Sequence, residues 1–413
     1  MTEIKNKLDK LTIASIWCIF LFSYVSVSAS ALSHILIVTP ALYFTFIYIK
    51  DGSIKLSKSS IFLLLTVLFA IISVLFADDI NNKFKQISKV KYMLFGVLAI
   101  IPYKRVIDSI SRKHLSLMLN TFLVLLAIGN IAGIHALFSG HHILRMKDAS
   151  DGVRAAGMYG MAITYGYGIE LVAILCLGLL INFWKQLTTI VNRNILLIST
   201  ITTMLGVYFS FTRGAVLALI ISIPFIFIRK KKLFWSLLVG GICSLLLVLS
   251  IVWNGNDTGN RFLLAAKTTS NMIRVSQYQA AVAAFQEKPL TGWGYRNFES
   301  NAYDIKKRNG IDYAEFYGHA HNNYLEFLAA TGLFGFLSFT LFVLTWLYEV
   351  WKRNDNFGLV VLPFVVSFSI SGLFQNTIND AENMFFIMFM YTISQSLKNG
   401  TFDTNLQSGQ ESP

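Results

Sequence analysis

Long apolar runs recur along almost the whole of this 413-residue chain, and they constrain its fold more than any other feature. A helix that crosses a bilayer needs about 20 mostly apolar residues. Within lipid, a helix pairs all of its backbone amides inside its own segment. The sequence therefore predicts an all-α, polytopic integral membrane protein with about twelve spans, near residues 11–30, 34–49, 60–77, 90–103, 115–138, 161–183, 195–211, 215–228, 233–253, 332–350, 358–374 and 382–397.

The composition agrees with a chain whose surface faces lipid. Hydrophobic residues make up 54% of the sequence and charged residues 14%. The net charge of +13 does not indicate nucleic acid, because Lys and Arg stand in short clusters between apolar runs, where they act as topology signals. The first run ends in a sequence resembling a signal-peptidase site, but its length predicts an uncleaved span. Neither disulfides nor a zinc site is expected from Cys18, Cys176 and Cys243.

The distribution of basic residues sets the direction of the spans, because cytoplasmic connections carry an excess of Lys and Arg. With the N-terminus inside, the predicted inner connections contain Lys50, Lys55 and Lys58; Lys104, Arg105, Arg112 and Lys113; Lys185 and Arg193; Arg229 to Lys232; and Lys352 and Arg353. Both termini are then cytoplasmic. The outer connection 78–91 departs from the rule with four lysines, so it is either an amphipathic segment among lipid headgroups or, with Lys89 as candidate, a site for an anionic ligand.

The same alternation divides the chain into domains. Residues 1–253 hold spans one to nine, 254–331 form a large outer loop with short helices, and 332–398 hold spans ten to twelve. The polar tail 399–413 is expected to be disordered and cytoplasmic. The other outer connections are predicted at 139–160, 212–214 and 375–381.

Two arginines are expected at the outer membrane surface. Arg213 stands between two apolar runs with almost no loop around it. A charge at that depth is costly unless it is paired or reaches water, so Arg213 is either a functional residue or an anchor among lipid headgroups. Arg274 opens an amphipathic helical stretch that contains Tyr278 and ends at a turn of proline and glycines, 289–294. On its own, Arg274 also fits a plain surface charge.

Three further side chains are candidates for polar chemistry. His319 and His321 precede the tenth span, and a histidine that is neutral near pH 7 suits a general base. The His-x-His pair also fits a metal site, although no cluster of carboxylates or cysteines accompanies it, and a structural role is a further alternative. Glu170 lies inside the sixth span, where a carboxylate usually pairs with a cation or lines a polar cleft.

Topology places Arg213, Arg274 and His321 on one side of the membrane. Arginine binds a pyrophosphate through paired hydrogen bonds, and a neighbouring base can deprotonate an attacking hydroxyl. This combination predicts group transfer from a donor activated by pyrophosphate.

These residues resemble the motifs of the O-antigen ligase/polymerase superfamily, and most of all those of its O-antigen ligases. The first match is Arg213 followed by Leu217, and the second is Arg274 with Tyr278 ahead of the 289–294 turn. The third is His321-Asn-Asn-Tyr-Leu followed by Thr-Gly-Leu-Phe-Gly. The span count and the long outer loop extend the resemblance over nearly the whole chain. Tyr278 is a departure, since the family often has tryptophan there.

The resemblance implies a GT-C-like glycosyltransferase of the bacterial inner membrane, with a periplasmic site and neither metal nor cofactor. It implies inverting transfer of O-antigen polysaccharide from undecaprenyl pyrophosphate to a sugar hydroxyl of lipid A-core. His321 would be the general base, with Arg213 and Arg274 as pyrophosphate clamps. The candidate substrate-binding residues are Arg145, Arg154, Lys89, Tyr278, His319, Asn322 and Glu170.

Three alternatives remain. An O-antigen polymerase uses the same donor with a second lipid-linked repeat as acceptor, and a protein O-oligosaccharyltransferase uses a protein acceptor. A secondary transporter belongs to a different class. It should show an internal repeat and interrupted helices near the membrane midplane, and the sequence shows no such repeat.

Overall fold

A computed structural model describes residues 2–52, 55–80, 82–149, 152–184, 190–228, 238 and 269–398. Three predicted segments lie outside the described residues: the ninth span apart from Leu238, the outer loop as far as residue 268, and the tail 399–413.

The described chain is almost entirely helical. Its α-helices are α1 (Thr2–Phe22), α2 (Val27–Lys50), α3 (Lys58–Phe76), α4 (Lys83–Ile87), α5 (Lys91–Leu98), α6 (Ile100–Val106), α7 (Arg112–Ser139), α8 (Ala162–Phe183), α9 (Arg193–Phe209), α10 (Arg213–Ser222), α11 (Thr269–Glu287), α12 (Phe298–Arg308), α13 (Asn323–Lys352), α14 (Asn356–Ser371) and α15 (Ala381–Ser396). Short 3-10 helices cover Ser88–Val90, Ile107–Ser109 and Ile223–Ile226. Strands β1 (His141–His142) and β2 (Lys147–Asp148) form a small antiparallel hairpin.

Several helices have the character of membrane spans. Within the described ranges, α2, α3, α7, α8 and α13 are long and apolar enough to cross a membrane. Three shorter helices, α9, α10 and α14, are also apolar. Nearly every side chain of α8 is buried, whereas many of α2 face outward. The helical, membrane-type architecture agrees with the coarse prediction from the apolar runs.

Two helix boundaries near the N-terminus differ from the predicted spans. The run 11–30 is divided between α1 and α2, because the chain turns after Phe22 and the Ser26 hydroxyl caps α2 by accepting from the Ala29 amide at 3.3 Å. The run 90–103 forms two short helices that meet at Ala99. Pro102 has no N–H to donate to the Leu98 carbonyl, and the loss of this bond favours a break here.

The tenth predicted span is also longer than expected, and it is broken. Helix α13 begins at Asn323, ahead of the predicted start at 332, and Gly332 interrupts it with φ 67° and ψ −168°. The 289–294 turn docks on this break through backbone hydrogen bonds, among which Trp293 donates to the Ala329 carbonyl at 3.0 Å. Leu333 donates to the Pro289 carbonyl at 2.8 Å, and Gly294 donates to the Ala330 carbonyl at 2.8 Å. The broken helix therefore holds the turn that follows α11.

The connections that the sequence predicts to be inner gather at one end of the bundle, which we call the basic end because Lys and Arg stand in them and at the helix ends beside them. It comprises the segments between α2 and α3, α6 and α7, α8 and α9, and α13 and α14. Here Arg105 pairs with Asp9 at 3.1 Å, and Arg353 donates to the Ser394 carbonyl at 3.1 Å. Contacts between these segments and helix ends fix the bundle at this side.

Candidate functional site

Connections from across the chain meet at the opposite end of the bundle, which we call the site end. Tyr295 joins three of them. Its amide donates to Ser73 Oγ at 3.0 Å, and its hydroxyl donates to Asn379 Oδ1 at 2.8 Å. Its carbonyl accepts from Gln86 Nε2 at 2.8 Å. The site end consists of connections 77–90, 140–161, 210–212, 288–322 and 372–380.

Arg213 is the first residue of α10, directly after the short turn that ends α9. Phe211 in this turn has a left-handed backbone, with φ 48°. Gly166 of α8 lets the turn pack closely, because a Cβ there would meet the side chains of Ser210 and Thr212. The Arg213 Nη2 donates to Asn271 Oδ1 on α11 at 3.3 Å. The turn thus brings Arg213 to the helix that carries Arg274.

Arg274 lies one helical turn beyond Asn271 and is within electrostatic range of Arg213 and of the Tyr167 hydroxyl. Tyr167 is fully buried, and its hydroxyl lies within hydrogen-bonding reach of Arg274. Gly214 allows this approach, since a Cβ there would clash with the hydroxyl. The Tyr167 hydroxyl therefore lies against Arg274, where it can help to orient the guanidinium.

Tyr278 lies on the next turn of α11, beside the same group. It interacts electrostatically with Tyr167. Burial raises the pKa of the Tyr278 hydroxyl, while the charge of Arg274 acts to lower it. Tyr278 is therefore a neutral, partly buried phenol next to Arg274 at pH 7.

His319 and His321 stand together just before α13. Their ring centroids are 4.2 Å apart. The His321 amide donates to His319 Nδ1 at 3.1 Å, and His321 itself has a left-handed backbone with φ 47°. A non-glycine residue in this conformation costs of order 1–3 kcal/mol, which the surrounding contacts must offset. The loop therefore holds both rings in one fixed arrangement.

The hydrogen bonds assign different tautomers to the two histidines. His319 Nδ1 accepts a hydrogen bond from the His321 amide, so a neutral His319 carries its hydrogen on Nε2 and is a donor there. His321 Nδ1 lies 2.7 Å from Gln375 Oε1, which can only accept, so His321 carries its hydrogen on Nδ1. Its Nε2 is then a proton acceptor. One ring offers a donor and the other offers a base.

Both histidines are neutral at pH 7. Burial is the largest cause and lowers the pKa of each to about 4. Beside burial, His319 lowers the pKa of His321, and the charge of Arg274 lowers the pKa of both rings. Arg274 therefore lies close enough to act on the pair. Over the described residues, no group of three or more His, Cys, Asp or Glu side chains is arranged to hold a metal ion.

Gln375 is a site residue that the sequence did not single out. It is buried on the connection between α14 and α15, where it accepts from His321. The Asp380 carboxyl lies close enough to interact with Gln375, and burial raises the pKa of Asp380 to about 7. The only signal in the sequence was a polar segment, 375–380, between two apolar runs. Gln375 orients His321 in the way that a partner orients a functional histidine elsewhere.

Replacing Gln375 is expected to change the behaviour of His321. Gln375→Leu removes the acceptor and should lower turnover roughly 10- to 100-fold, as loss of an orienting partner does for other functional histidines. Gln375→Glu should raise the pKa of His321, because a carboxylate favours the imidazolium. His321 can act as a base only when it is neutral. As the pH falls, Gln375→Glu should therefore lose activity at a higher pH than the wild-type protein does. Activity against pH measures both effects, and Gln279→Leu, an exposed position on α11, is the control.

Arg296 and Lys89 form a second cationic group at the site end. Arg296 has φ 56° and donates from Nη2 to the Asn379 carbonyl. Its charge acts on His319 and, after burial, is the next cause that lowers the pKa of Lys89. Lys89 Nζ donates to Gln86 Oε1 at 2.7 Å. Lys89 thus lies near Arg296. The sequence did not single out Arg296, although it follows the 289–294 turn.

Arg145 and Arg154 both lie on the 140–161 connection. Arg145, in the β1–β2 hairpin, donates from Nη1 to the Tyr159 carbonyl of the same connection. The residue after Arg154, Ala155, donates its amide to the Phe209 carbonyl at 2.9 Å. The structure therefore fixes the segment of Arg154 beside the turn that precedes Arg213, while Arg145 braces its own connection.

Asn322 caps α13. Its Oδ1 accepts from the Tyr324 and Leu325 amides at 2.8 and 3.0 Å, and its Nδ2 donates to the Leu373 carbonyl at 3.1 Å. Because both polar atoms are used, this geometry favours a structural role that anchors the residue after His321 over contact with substrate.

Glu170 lies one turn from Tyr167 on α8 and is fully buried. Its Oε2 accepts from Ser367 Oγ at 2.5 Å, and it interacts electrostatically with Tyr167. No ion pair with a cation is found for it in the part of the chain that the structure describes. Of the two alternatives from the sequence, pairing with a cation is therefore not seen among these residues, and a place in a polar cleft stays a prediction.

Comparison with known proteins agrees with this geometry. Residues 198–340 match the family model described as O-antigen ligase, and this segment contains Arg213, Arg274 and His321. No curated protein matches the chain. Members of the matched family are glycosyltransferase-like enzymes that act on O-antigen. This match over residues 198–340 supports membership of the O-antigen ligase/polymerase superfamily, as the motifs predicted.

Proposed function

We propose that this protein is an O-antigen ligase. It transfers O-antigen polysaccharide from undecaprenyl pyrophosphate to a sugar hydroxyl of lipid A-core, by an inverting reaction that needs neither metal nor cofactor. The observation that carries the proposal is the juxtaposition of Arg213 and Arg274 beside the His319–His321 pair. Two fixed cations, a buried tyrosine hydroxyl beside them and a neutral base match the needs of transfer from a diphosphate donor.

The two arginines would bind the diphosphate of the donor. Each guanidinium can hold phosphate oxygens through parallel hydrogen bonds. Their mutual repulsion in the free protein is relieved when an anion lies between them. As the bond between the sugar C1 and the pyrophosphate oxygen breaks, negative charge grows on that oxygen and both arginines stabilise it.

His321 would accept the proton of the acceptor hydroxyl. The hydroxyl oxygen attacks C1 from the face opposite the leaving group, so a glycosidic bond forms with inversion, and the proton passes to His321 Nε2. Undecaprenyl pyrophosphate leaves with the electron pair of the broken bond. His319 Nε2–H is suited to donate to a diphosphate oxygen during this step.

Donor binding would also tune the base. In the free protein, Arg274 contributes to lowering the pKa of His321. A diphosphate bound to Arg274 cancels part of that charge, so the pKa of His321 rises in the complex. A base with a pKa nearer the working pH accepts a proton more effectively. The acidic limb of kcat is therefore expected at higher pH than that of kcat/KM.

We infer that the site end faces the periplasm and the basic end faces the cytoplasm of the bacterial inner membrane. The Lys and Arg residues in the short connections of the basic end and at the helix ends beside them support this orientation. We also propose that the protein has about twelve spans in a GT-C-like arrangement, cytoplasmic termini, and a periplasmic domain over 254–331. Lipid-linked donor and acceptor would then reach the site from the outer leaflet.

The pattern of lipopolysaccharide in a deletion strain tests the choice between ligase and polymerase. Loss of a ligase should leave rough lipopolysaccharide, with polymer retained on the lipid carrier. Loss of a polymerase should instead leave core that carries a single repeat, and that result would replace the ligase proposal. Solute uptake by proteoliposomes without any glycan donor would favour a transporter.

A further inference from the structure

Lys306 is a fully buried lysine on α12, outside the group of residues that would contact substrate. Its ammonium donates to Ser276 Oγ at 2.9 Å, to the Phe316 carbonyl at 2.9 Å and to the Tyr313 carbonyl at 3.3 Å. An ammonium has three hydrogens, and each has an acceptor here. All three acceptors are neutral, so Lys306 links backbone and hydroxyl groups instead of an acidic partner.

These contacts join two segments that carry candidate site residues. Ser276 lies on α11 between Arg274 and Tyr278. Phe316 lies on the loop that leads to His319 and His321. The adjacent Gln277 strengthens the same link, because its Nε2 also donates to the Phe316 carbonyl, at 2.7 Å. The loop carrying the histidines is thereby held against the helix carrying Arg274.

The loop is anchored at both of its ends. At its start, the Ile311 amide donates to the Lys306 carbonyl at 2.9 Å. At its end, the Ala320 amide donates to Glu326 Oε2 at 2.8 Å. Between these anchors, Tyr313 has a left-handed backbone, with φ 58°. The Lys306 ammonium thus links the middle of the loop to Ser276 of α11 by hydrogen bonds, and we call this link the tie.

We propose that Lys306 is a positioning residue that fixes the spacing between Arg274 and the His319–His321 pair. Burying an ammonium without an acidic partner is costly, so a merely space-filling role would be better served by an apolar side chain. The tie itself stands on hydrogen bonds, and only its effect on turnover rests on the proposed function.

The tie should depend on pH. Burial lowers the pKa of Lys306 to about 8, and Glu315, on the loop, acts in the opposite direction. Arg274, Tyr278 and Glu287 of α11 are the other titratable groups on the packed helix, and Asp304 lies on α12 itself. As pH rises through about 8, the ammonium loses a proton and with it one of three donors. The loop should then loosen on the alkaline side.

Hydrogen exchange of the peptide 311–321 tests the tie without any substrate. In Lys306→Met, amide exchange there, corrected for intrinsic rate, should rise at least about tenfold, since one lost hydrogen bond to a charged group is enough for that factor. Lys307→Met is the matched control, because Lys307 is the next residue and is exposed. Unchanged exchange in Lys306→Met would overturn the proposal.

Two further measurements keep the proposal testable if Lys306→Met does not fold. In the wild-type protein, corrected exchange of 311–321 should rise between about pH 7 and pH 9, and in Lys306→Arg it should stay flat, because arginine remains charged. If the loosened loop slows glycan transfer in the wild-type protein above about pH 8, Lys306→Arg should keep transfer and show no such decline. A flat wild-type profile would contradict the tie. Absence of any transfer with these exchange results intact would contradict the proposed function alone.

Discussion

Replacing His321 with alanine is expected to lower the rate of glycan transfer by about 10²- to 10⁴-fold, the usual contribution of a positioned general base. Gln375 holds the His321 ring with its hydrogen on Nδ1, so Nε2 is the atom that would take the acceptor proton. Without it, that proton must pass to water. The donor KM should change little, because the arginines that would bind the diphosphate remain. Initial rates with purified protein, lipid-linked donor and lipid A-core measure both quantities.

His114→Ala is the matched control for this experiment. His114 is an exposed histidine near the start of α7, at the basic end. The His114→Ala substitution should leave both the transfer rate and the donor KM at wild-type values. His319→Ala should instead raise the donor KM, because its Nε2–H is suited to a diphosphate oxygen. A His321→Ala protein with the full wild-type rate would remove the base from the proposed reaction.

The position of Arg213 was predictable because of local chain geometry. Two apolar runs leave only a few residues between them near 212, so the chain must turn at the membrane surface and expose whatever polar group stands there. The structure has this turn, with α10 beginning at Arg213. Arg274 was predictable for a related reason, since it opens an amphipathic helix that ends in a turn of proline and glycines. Both predictions needed only neighbours along the chain.

Residues that act across the fold were not predictable in this way. Gln375 contacts His321 from a connection 54 positions away along the chain. Lys306 sits on an otherwise ordinary charged helix whose neighbouring Lys307 and Arg308 are exposed. Periodicity cannot reveal that one of these three cations turns inward, because the cause is the approach of the 313–316 loop.

The start of α13 shows a different limit. The apolar run indicated a span from 332, yet the helix begins at the Asn322 cap and is broken at Gly332. The first turns of the helix contain the polar residues Asn323 and Glu326, and backbone hydrogen bonds with the 289–294 turn stabilise the break, so hydropathy reveals neither feature. This early start is what brings His321 to the site end beside Gln375.

Removing either arginine is expected to lower transfer by about 10²- to 10³-fold, as loss of one preorganised donor to a developing anion does in other enzymes. Arg213→Ala and Arg274→Ala should also raise the donor KM, because the diphosphate would lose a bidentate contact. Lysine at either position should recover part of the rate, since it keeps the charge and loses the fork. Arg112→Ala, at the start of α7 at the basic end, is the control and should behave as wild type.

The double variant Arg213→Ala/Arg274→Ala distinguishes one shared diphosphate from two separate anions. The two guanidiniums interact with each other, and Asn271 and Tyr167 lie next to them. If both arginines hold one diphosphate, removing the second arginine lowers the rate by a smaller factor than removing the first, because the diphosphate is already misplaced. The combined loss should then fall below the product of the single losses. A loss equal to that product would show that the arginines serve independent sites, and the clamp would have to be abandoned.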